Sequence, residues 1–196
     1  MTSVSLLVLG AGRGERLGGP KALLIIDDRP LAVLHAERRP AGADVVIVLR
    51  ADVARVLGPI AHAHVVESAE ADDLGPAGSI RAAVRAGAIE GADMILVTPV
   101  DVPPAPPERV APLLDALSTH DAARWERGHP IAIRGEVLRR RYREDAPILR
   151  DVLRELGDRC ARLASPDVPS PDDCGADLDT PEDVLRRTGG RPRFFG

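Results

Sequence analysis

The short apolar stretch Val4 to Leu9 runs straight into GAGRGERLGGPK, Gly10 to Lys21. A buried strand that empties into a loop with glycines at 10, 12, 14, 18 and 19 and cations at Arg13, Arg16 and Lys21 commits the chain to a particular kind of fold and ligand. The glycines let the backbone approach a ligand closely, and successive N–H groups in such a turn form an anion-binding concavity. The cations add charge where those amides converge, so the loop fits a polyphosphate. Neither of two common phosphate loops matches. G-x-G-x-x-G fails because the last position is Glu15 or Leu17, and the Walker pattern fails because Pro20 intrudes and Ala22 stands where a magnesium-binding hydroxyl belongs.

The rest of the chain supports such a fold. Apolar runs at Val4–Leu9, Val45–Leu49 and Met94–Val97 are short and bounded by polar or turn residues, as in strands buried on both faces, and Ile131–Ile133 reads as a further strand. Between them lie helical patterns: Leu31, Leu34 and His35 share one face, and Ile80, Val84 and Ala88 another, behind Ser79 as a cap. Past the proline-rich turn Val102 to Pro112, which opens a helix near Glu108, Ile148, Leu149, Val152, Leu153 and Leu156 outline an amphipathic helix. Strand and helix alternate, so the expected class is α/β, with a mostly parallel sheet and helices on both faces. A single domain is expected over 1–187, with a surface segment at Ser165 to Gly175 and a flexible tail over 188–196 in which Phe194 and Phe195 are free to dock on a neighbour.

Composition narrows the partners. With 2% aromatic residues and a net charge of −4, the chain lacks both the stacking platforms and the basic footprint of a nucleic-acid binder, so its anion binding must be local. No apolar run approaches the roughly 20 residues of a membrane span. Cys160 and Cys174 make no metal-binding pair and no secretory signal opens the chain, which together point to a reduced, cytoplasmic setting.

The loop, as Leu9-Gly10-Ala11-Gly12, Arg16-Leu17-Gly18 and Pro20-Lys21, resembles the signature of the MobA-like nucleotidyltransferases, with Gly10 where the family usually carries alanine. Asp101-Val102-Pro103, by itself a turn, resembles that family's D-x-P motif. Asp177-Leu178-Asp179-Thr180-Pro181-Glu182-Asp183 resembles the D-x-D-T-P-E-D segment of cytidylyltransferase-like members. Thr180 as cap and Pro181 as first helical residue explain its second half as a helix start, which leaves Asp179 unexplained. Gly75-Pro76-Ala77-Gly78 resembles, one residue short, the segment used near base and ribose by guanylyltransferase members, whereas Ser79-Ile80-Arg81-Ala82 and Gly128-His129-Pro130 look like the cytidylyl branch.

The resemblance implies a Rossmann-like, three-layer α/β/α domain of the nucleotide-diphospho-sugar transferase type. It implies a nucleotide site built from Leu9, Gly10, Ala11, Gly12, Gly14, Lys21, Gly75, Pro76, Ala77, Gly78 and Asp101, with Arg16, Lys21 and Asp101 catalytic. Mg²⁺ would be held by Asp101 and Asp179, with Asp177 as the alternative, and His129 would lie on the acceptor side. The implied reaction moves a nucleoside monophosphate from GTP or CTP to a small phosphorylated acceptor, with molybdopterin or molybdenum cofactor as the acceptor the resemblance points to. A sugar-phosphate transferase and a nucleotide sensor without turnover are the alternatives. His62 and His64 alternate as strand neighbours with no zinc set beside them, and Trp125 near Arg124 and Arg127 is either pocket lining or packing.

Overall fold

The computed structural model describes residues 2–69, 71–165 and 177–196. In chain order the strands are β1 (Val4–Leu9), β2 (Ile25–Ile26), β3 (Arg29–Pro30), β4 (Asp44–Leu49), β5 (Ala63–Glu67), β6 (Met94–Pro99), β7 (Ala122–Trp125), β8 (Ile131–Arg134) and β9 (Cys160–Leu163). The helices are α1 (Leu31–Glu37), α2 (Ala51–Leu57), α3 (Ala71–Arg85), α4 (Pro107–Ala116), α5 (Gly135–Tyr142), α6 (Leu149–Leu156) and α7 (Pro181–Thr188). Seven strands form the central sheet in the order β5-β4-β1-β6-β8-β7-β9, and β8 alone pairs antiparallel to its neighbours. β2 and β3 form a separate small hairpin.

Side chains alternate across this sheet with the period of a strand, and two cores result. Leu6, Val8, Val45, Ile47 and Leu49 face a layer that includes Leu31, Leu34, Val53, Leu113 and Val184, from α1, α2, α4 and α7. Leu7, Val46, Val48, Ile95 and Val97 face Ile80, Val84, Leu138, Val152 and Leu156, from α3, α5 and α6. The expected three layers are therefore present. With so few rings available, close-packed Leu, Ile, Val and Ala fill them; Tyr142 is wholly buried and donates its hydroxyl to the Pro147 carbonyl at 2.8 Å.

Several local expectations need correction. Ser79 does not cap a helix: α3 is kinked at Gly75, whose φ of 56° and ψ of −138° are not helical, so Pro76 opens the second part and Ser79 lies buried inside it. α3 ends at Arg85, which leaves Ala88 in the following turn. His62 precedes β5 in a turn with φ of 63°, so it does not share a strand face with His64. Ile148 flanks α6 but is 59% exposed, outside the buried stripe. Phe194 bridges to Leu24, and the backbone N–H groups of Ile25 and Phe195 donate to the carbonyls of Arg193 and Leu23, so the last residues lie against this chain's own loop. The segment expected at Ser165 to Gly175 falls from 166 onward outside the described residues, and Cys174 with it.

Gly135 opens α5 against the backbone before β6. A Cβ built there would lie 1.9 Å from the Ala92 carbonyl oxygen, and the Gly135 N–H already donates to Asp93 at 2.8 Å. The Arg139 guanidinium, 2.6 Å away, could move aside, but the Ala92 backbone could not. Gly135→Ala is expected to cost roughly 3 kcal/mol, the upper range for overpacking, measured as a lower urea midpoint; an unchanged midpoint would show that the backbone has room there.

Candidate active site

β1 and β6 are adjacent and parallel, with Leu9 opposite Pro99, and the chain leaves β1 toward one edge of the sheet after crossing to β4 and β5 but continues from β6 toward the other. Ligands in open α/β sheets bind beyond the carboxyl ends of strands at such a switch point. Here those ends carry the glycine loop and Asp101. A cleft of about 400 Å³ lies over them, lined by Ala11, Gly12, Gly14, Arg16, Lys21, Gly75, Pro76, Asp101 and Asp179 among others.

The loop is held open by its own bonds. The Gly14 carbonyl accepts from Leu17, Gly18 and Gly19 at 2.9, 3.1 and 3.3 Å, so those amides are spent internally and Ala11 to Glu15 is the part that faces the cleft. Gly14 has φ of 65°, and a Cβ there would lie 2.0 Å from the Gly19 carbonyl oxygen. Gly10 is different. Its N–H donates to Val48 at 2.8 Å, it does not line the cleft, and a Cβ would come within 2.8 Å of Leu49 Cδ2. Gly10 is thus matched to a large neighbour on β4.

Lys21 reaches the floor of the cleft and donates to Asp101 Oδ2 at 2.5 Å and to Asp179 Oδ1. Its side chain is 18% exposed and that of Asp101 13%, so both charges sit largely out of water. Burial opposes the lysine charge, but hydrogen bonds and attraction from the two carboxylates outweigh it and hold its pKa above the ordinary lysine value. Arg16, on the exposed side, contacts Asp179 Oδ2 at 3.5 Å. Lys21 is the only lysine among 26 basic residues, a signal in the sequence that composition by class conceals.

Asp179 is brought in by the start of α7. Thr180 caps that helix, as the sequence indicated, Asp183 completes a capping box, and the Leu178 N–H donates to the Asp101 carbonyl at 3.1 Å, which ties the two acidic segments together. Asp177 stands close enough that burial and the charge on Asp101 raise its pKa. Of the other expected residues, Ala77 faces the neighbouring cavity, and Gly78, buried within α3, lines neither.

That second cavity, about 1070 Å³, shares Leu9, Pro76 and Pro99 with the first. His129 lines it, with Trp125, Arg124, Arg150, Arg154 and Arg162. Burial lowers the His129 pKa, against the opposing charges of Asp177 and Asp101 and a bond to Val97, which favours a neutral ring. Trp125 has both roles weighed for it: it is 6% exposed, donates to the Arg109 carbonyl at 3.1 Å, and stacks under the Arg109 guanidinium at 5.0 Å. Arg150, Arg154 and Arg162 were not singled out from sequence, because they come from α6 and β9, far along the chain.

His35 was read only as part of a helix face. It lies behind the Asp101 turn, 1% exposed, with Nε2 3.1 Å from the Val100 carbonyl oxygen. That contact requires a proton on Nε2 and makes the ring a donor. Burial brings its pKa down to about 4, despite the Val100 and Val102 carbonyls and the charge on Asp101. The unfolded chain takes up a proton near pH 6.5 that the folded chain refuses until about pH 4, so this residue's contribution is present above 6.5 and is lost as pH falls through that window. In an NMR titration the His35 ring signals should stay those of neutral imidazole down to about pH 4; a midpoint near the ordinary histidine value of about 6.5 would contradict the burial argument.

A family model described as the MobA-like NTP transferase domain matches residues 6–161. The chain is similar to molybdenum cofactor guanylyltransferase from Burkholderia vietnamiensis (strain G4 / LMG 22486), 35% identical over 125 residues, 61% of this chain and 59% of that one. The chain thus matches about three fifths of that relative's length. Among solved structures, Rv0371c from Mycobacterium tuberculosis H37Rv aligns with a TM-score of 0.72 and 23% identity over 96% of this chain and 98% of that one. A complex of Rv0371c with manganese aligns with a TM-score of 0.68 and 23% identity over 96% and 100%. At that identity the two structures speak for the fold.

Proposed function

The chain belongs to the MobA-like NTP transferase family, and from that premise we propose that it is a nucleotidyltransferase that moves a nucleoside monophosphate from a nucleoside triphosphate to a small phosphorylated acceptor. One observation carries the reading: the glycine loop, Lys21, Asp101 and Asp179 all line one cleft at the strand-order switch, with the lysine ammonium bridging the two carboxylates. In the reaction an acceptor phosphate oxygen attacks the α-phosphorus, a P–O bond forms there, and the bond to the β-phosphate breaks to release pyrophosphate. Little covalent work falls to the protein, so placement and charge neutralisation supply the rate.

The residues fit a divalent ion. Two hard carboxylate oxygens already converge on one cation, the Lys21 ammonium, and Mg²⁺ characteristically takes one or two carboxylates with phosphate and water completing its shell. Among the described residues no three His, Cys, Asp or Glu side chains form a self-sufficient metal cluster, which matches an ion that arrives with the triphosphate. Asp101 and Asp179 would hold Mg²⁺, whose contribution when bound is neutralisation of charge at the α-phosphate. Ala11 to Glu15 wrap the phosphates, and Lys21 and Arg16 face the departing pyrophosphate.

The second cavity suits the acceptor. Arg124, Arg150, Arg154 and Arg162 on its walls match a phosphate, and apolar Leu74, Ile80 and Trp125 match the body that carries it. The name of the Burkholderia relative supports guanine as base and molybdenum cofactor as acceptor. The segments around Ser79 and His129 lean toward cytosine, so GTP and CTP are the two candidates. No helix among the described residues is long and apolar enough to cross a membrane, in keeping with substrates taken from solution.

Asp101→Ala is expected to lower turnover by a hundredfold or more, the scale of losing a preorganised electrostatic partner, measured as pyrophosphate release; unchanged turnover would remove Asp101 from the site. In a thermal-shift comparison of GTP, CTP, UTP and ATP with Mg²⁺, the preferred nucleotide at about 100 times its dissociation constant should stabilise by about 2.7 kcal/mol. Lys21→Ala should lose that shift while remaining folded, and equal shifts for all four nucleotides would dismiss base selection.

A further inference from the structure

The turn that carries Asp101 is held from two sides. The Asp101 carbonyl accepts from the Leu178 N–H at 3.1 Å, and the Val100 carbonyl accepts from His35 Nε2 at 3.1 Å. The first of these bonds belongs to a segment that touches the cleft. The second comes from α1, on the far side of the turn. His35 is otherwise an awkward residue for its place: it is 1% exposed among Leu31, Ala32, Leu34 and Ala36, and its Nδ1 is buried without a partner among the described residues. A leucine would pack there without leaving a polar atom unmatched. What leucine lacks is the donor.

We propose that His35 is a positioning residue for the transfer reaction: its Nε2–H fixes the Val100 carbonyl directly before Asp101, and through the Asp101–Leu178 backbone bond it sets the spacing between Asp101 and Asp179. The proposal rests on the nucleotidyltransferase reading for its catalytic part alone. A donor from outside the turn is useful because its internal bond is long: the Val102 N–H reaches the Pro99 carbonyl only at 3.4 Å. A neutral imidazole suits the task better than a charged donor would, because a second buried cation behind Asp101 would compete with Lys21 for the same carboxylate. The residue touches no substrate. It acts by keeping two carboxylates a fixed distance apart.

His35→Leu removes the donor, and His35→Gln keeps an N–H at a similar reach. The first readout needs neither metal nor nucleotide: amide exchange at Leu178, followed by NMR. It should be at least about tenfold faster in His35→Leu, through local opening of the turn, and close to wild type in His35→Gln. Mn²⁺ affinity with a non-hydrolysable triphosphate should fall about tenfold in His35→Leu, the scale for losing a residue that orients a metal ligand, and turnover should fall with it while KM for the triphosphate at saturating Mn²⁺ stays within about twofold. Should His35→Leu not fold, His35→Phe keeps the ring volume without the donor and takes its place. Wild-type exchange at Leu178 in the donor-less variant would overturn the proposal. So would a His35→Gln as impaired as His35→Leu, which would reduce the residue to packing. If exchange and Mn²⁺ affinity respond as expected but the wild-type protein releases no pyrophosphate with any acceptor, the reaction assignment fails and the role of His35 stands.

Discussion

The parallel pairing of β1 with β6 is what the remainder of the site depends on. Because Leu9 lies opposite Pro99, the two strands end side by side, and whatever follows each must share one crevice. The loop after β1 supplies backbone and cations, the turn after β6 supplies a carboxylate, and the register between them is set by ladder hydrogen bonds rather than by the side chains that do chemistry. The third contributor, Asp179, arrives from more than seventy residues later and has no ladder to place it. Its position comes instead from a capping box at the start of α7 and one backbone bond to Asp101.

Charge in the cleft follows from this convergence. An acidic chain of net charge −4 is a poor general anion binder, and the structure answers with a local arrangement. Lys21 and Arg16 balance Asp101 and Asp179 one for one, and the nearby Asp177 leaves the immediate cluster slightly acidic. Such a cluster attracts a divalent ion and its triphosphate together more readily than a bare triphosphate. The cationic wall of the second cavity, drawn from α6 and β9, is separated from that acidic knot by the apolar residues common to both spaces, Leu9, Pro76 and Pro99. Opposite local charges can therefore coexist a few residues apart.

Much of the fold was legible because strand and helix leave different periods in a sequence. Val4–Leu9 and Val45–Leu49 were found to within a residue, and so was α6, whose buried Val152, Leu153 and Leu156 repeat at helical spacing. The site was legible where chemistry and spacing are local: the loop, Asp101 and Asp179. The misreadings share a cause, which is backbone geometry that side-chain identity does not encode. Ser79 looks like a cap until Gly75 kinks the chain four residues earlier, and His62 looks like a strand residue until its positive φ places it in a turn. Contacts between distant segments were equally hidden. The neighbour that crowds position 10 is Leu49, and the tie between His35 and the Asp101 turn spans 65 residues.

That the chain holds a single lysine has a practical corollary. Twenty-five arginines carry its remaining side-chain cationic charge. Apart from the terminal amino group the chain carries one amine, and it is the ammonium on the floor of the cleft, kept protonated between Asp101 and Asp179. Isotopic editing of a lysine ammonium signal therefore reports on the candidate site alone, without engineering any other position.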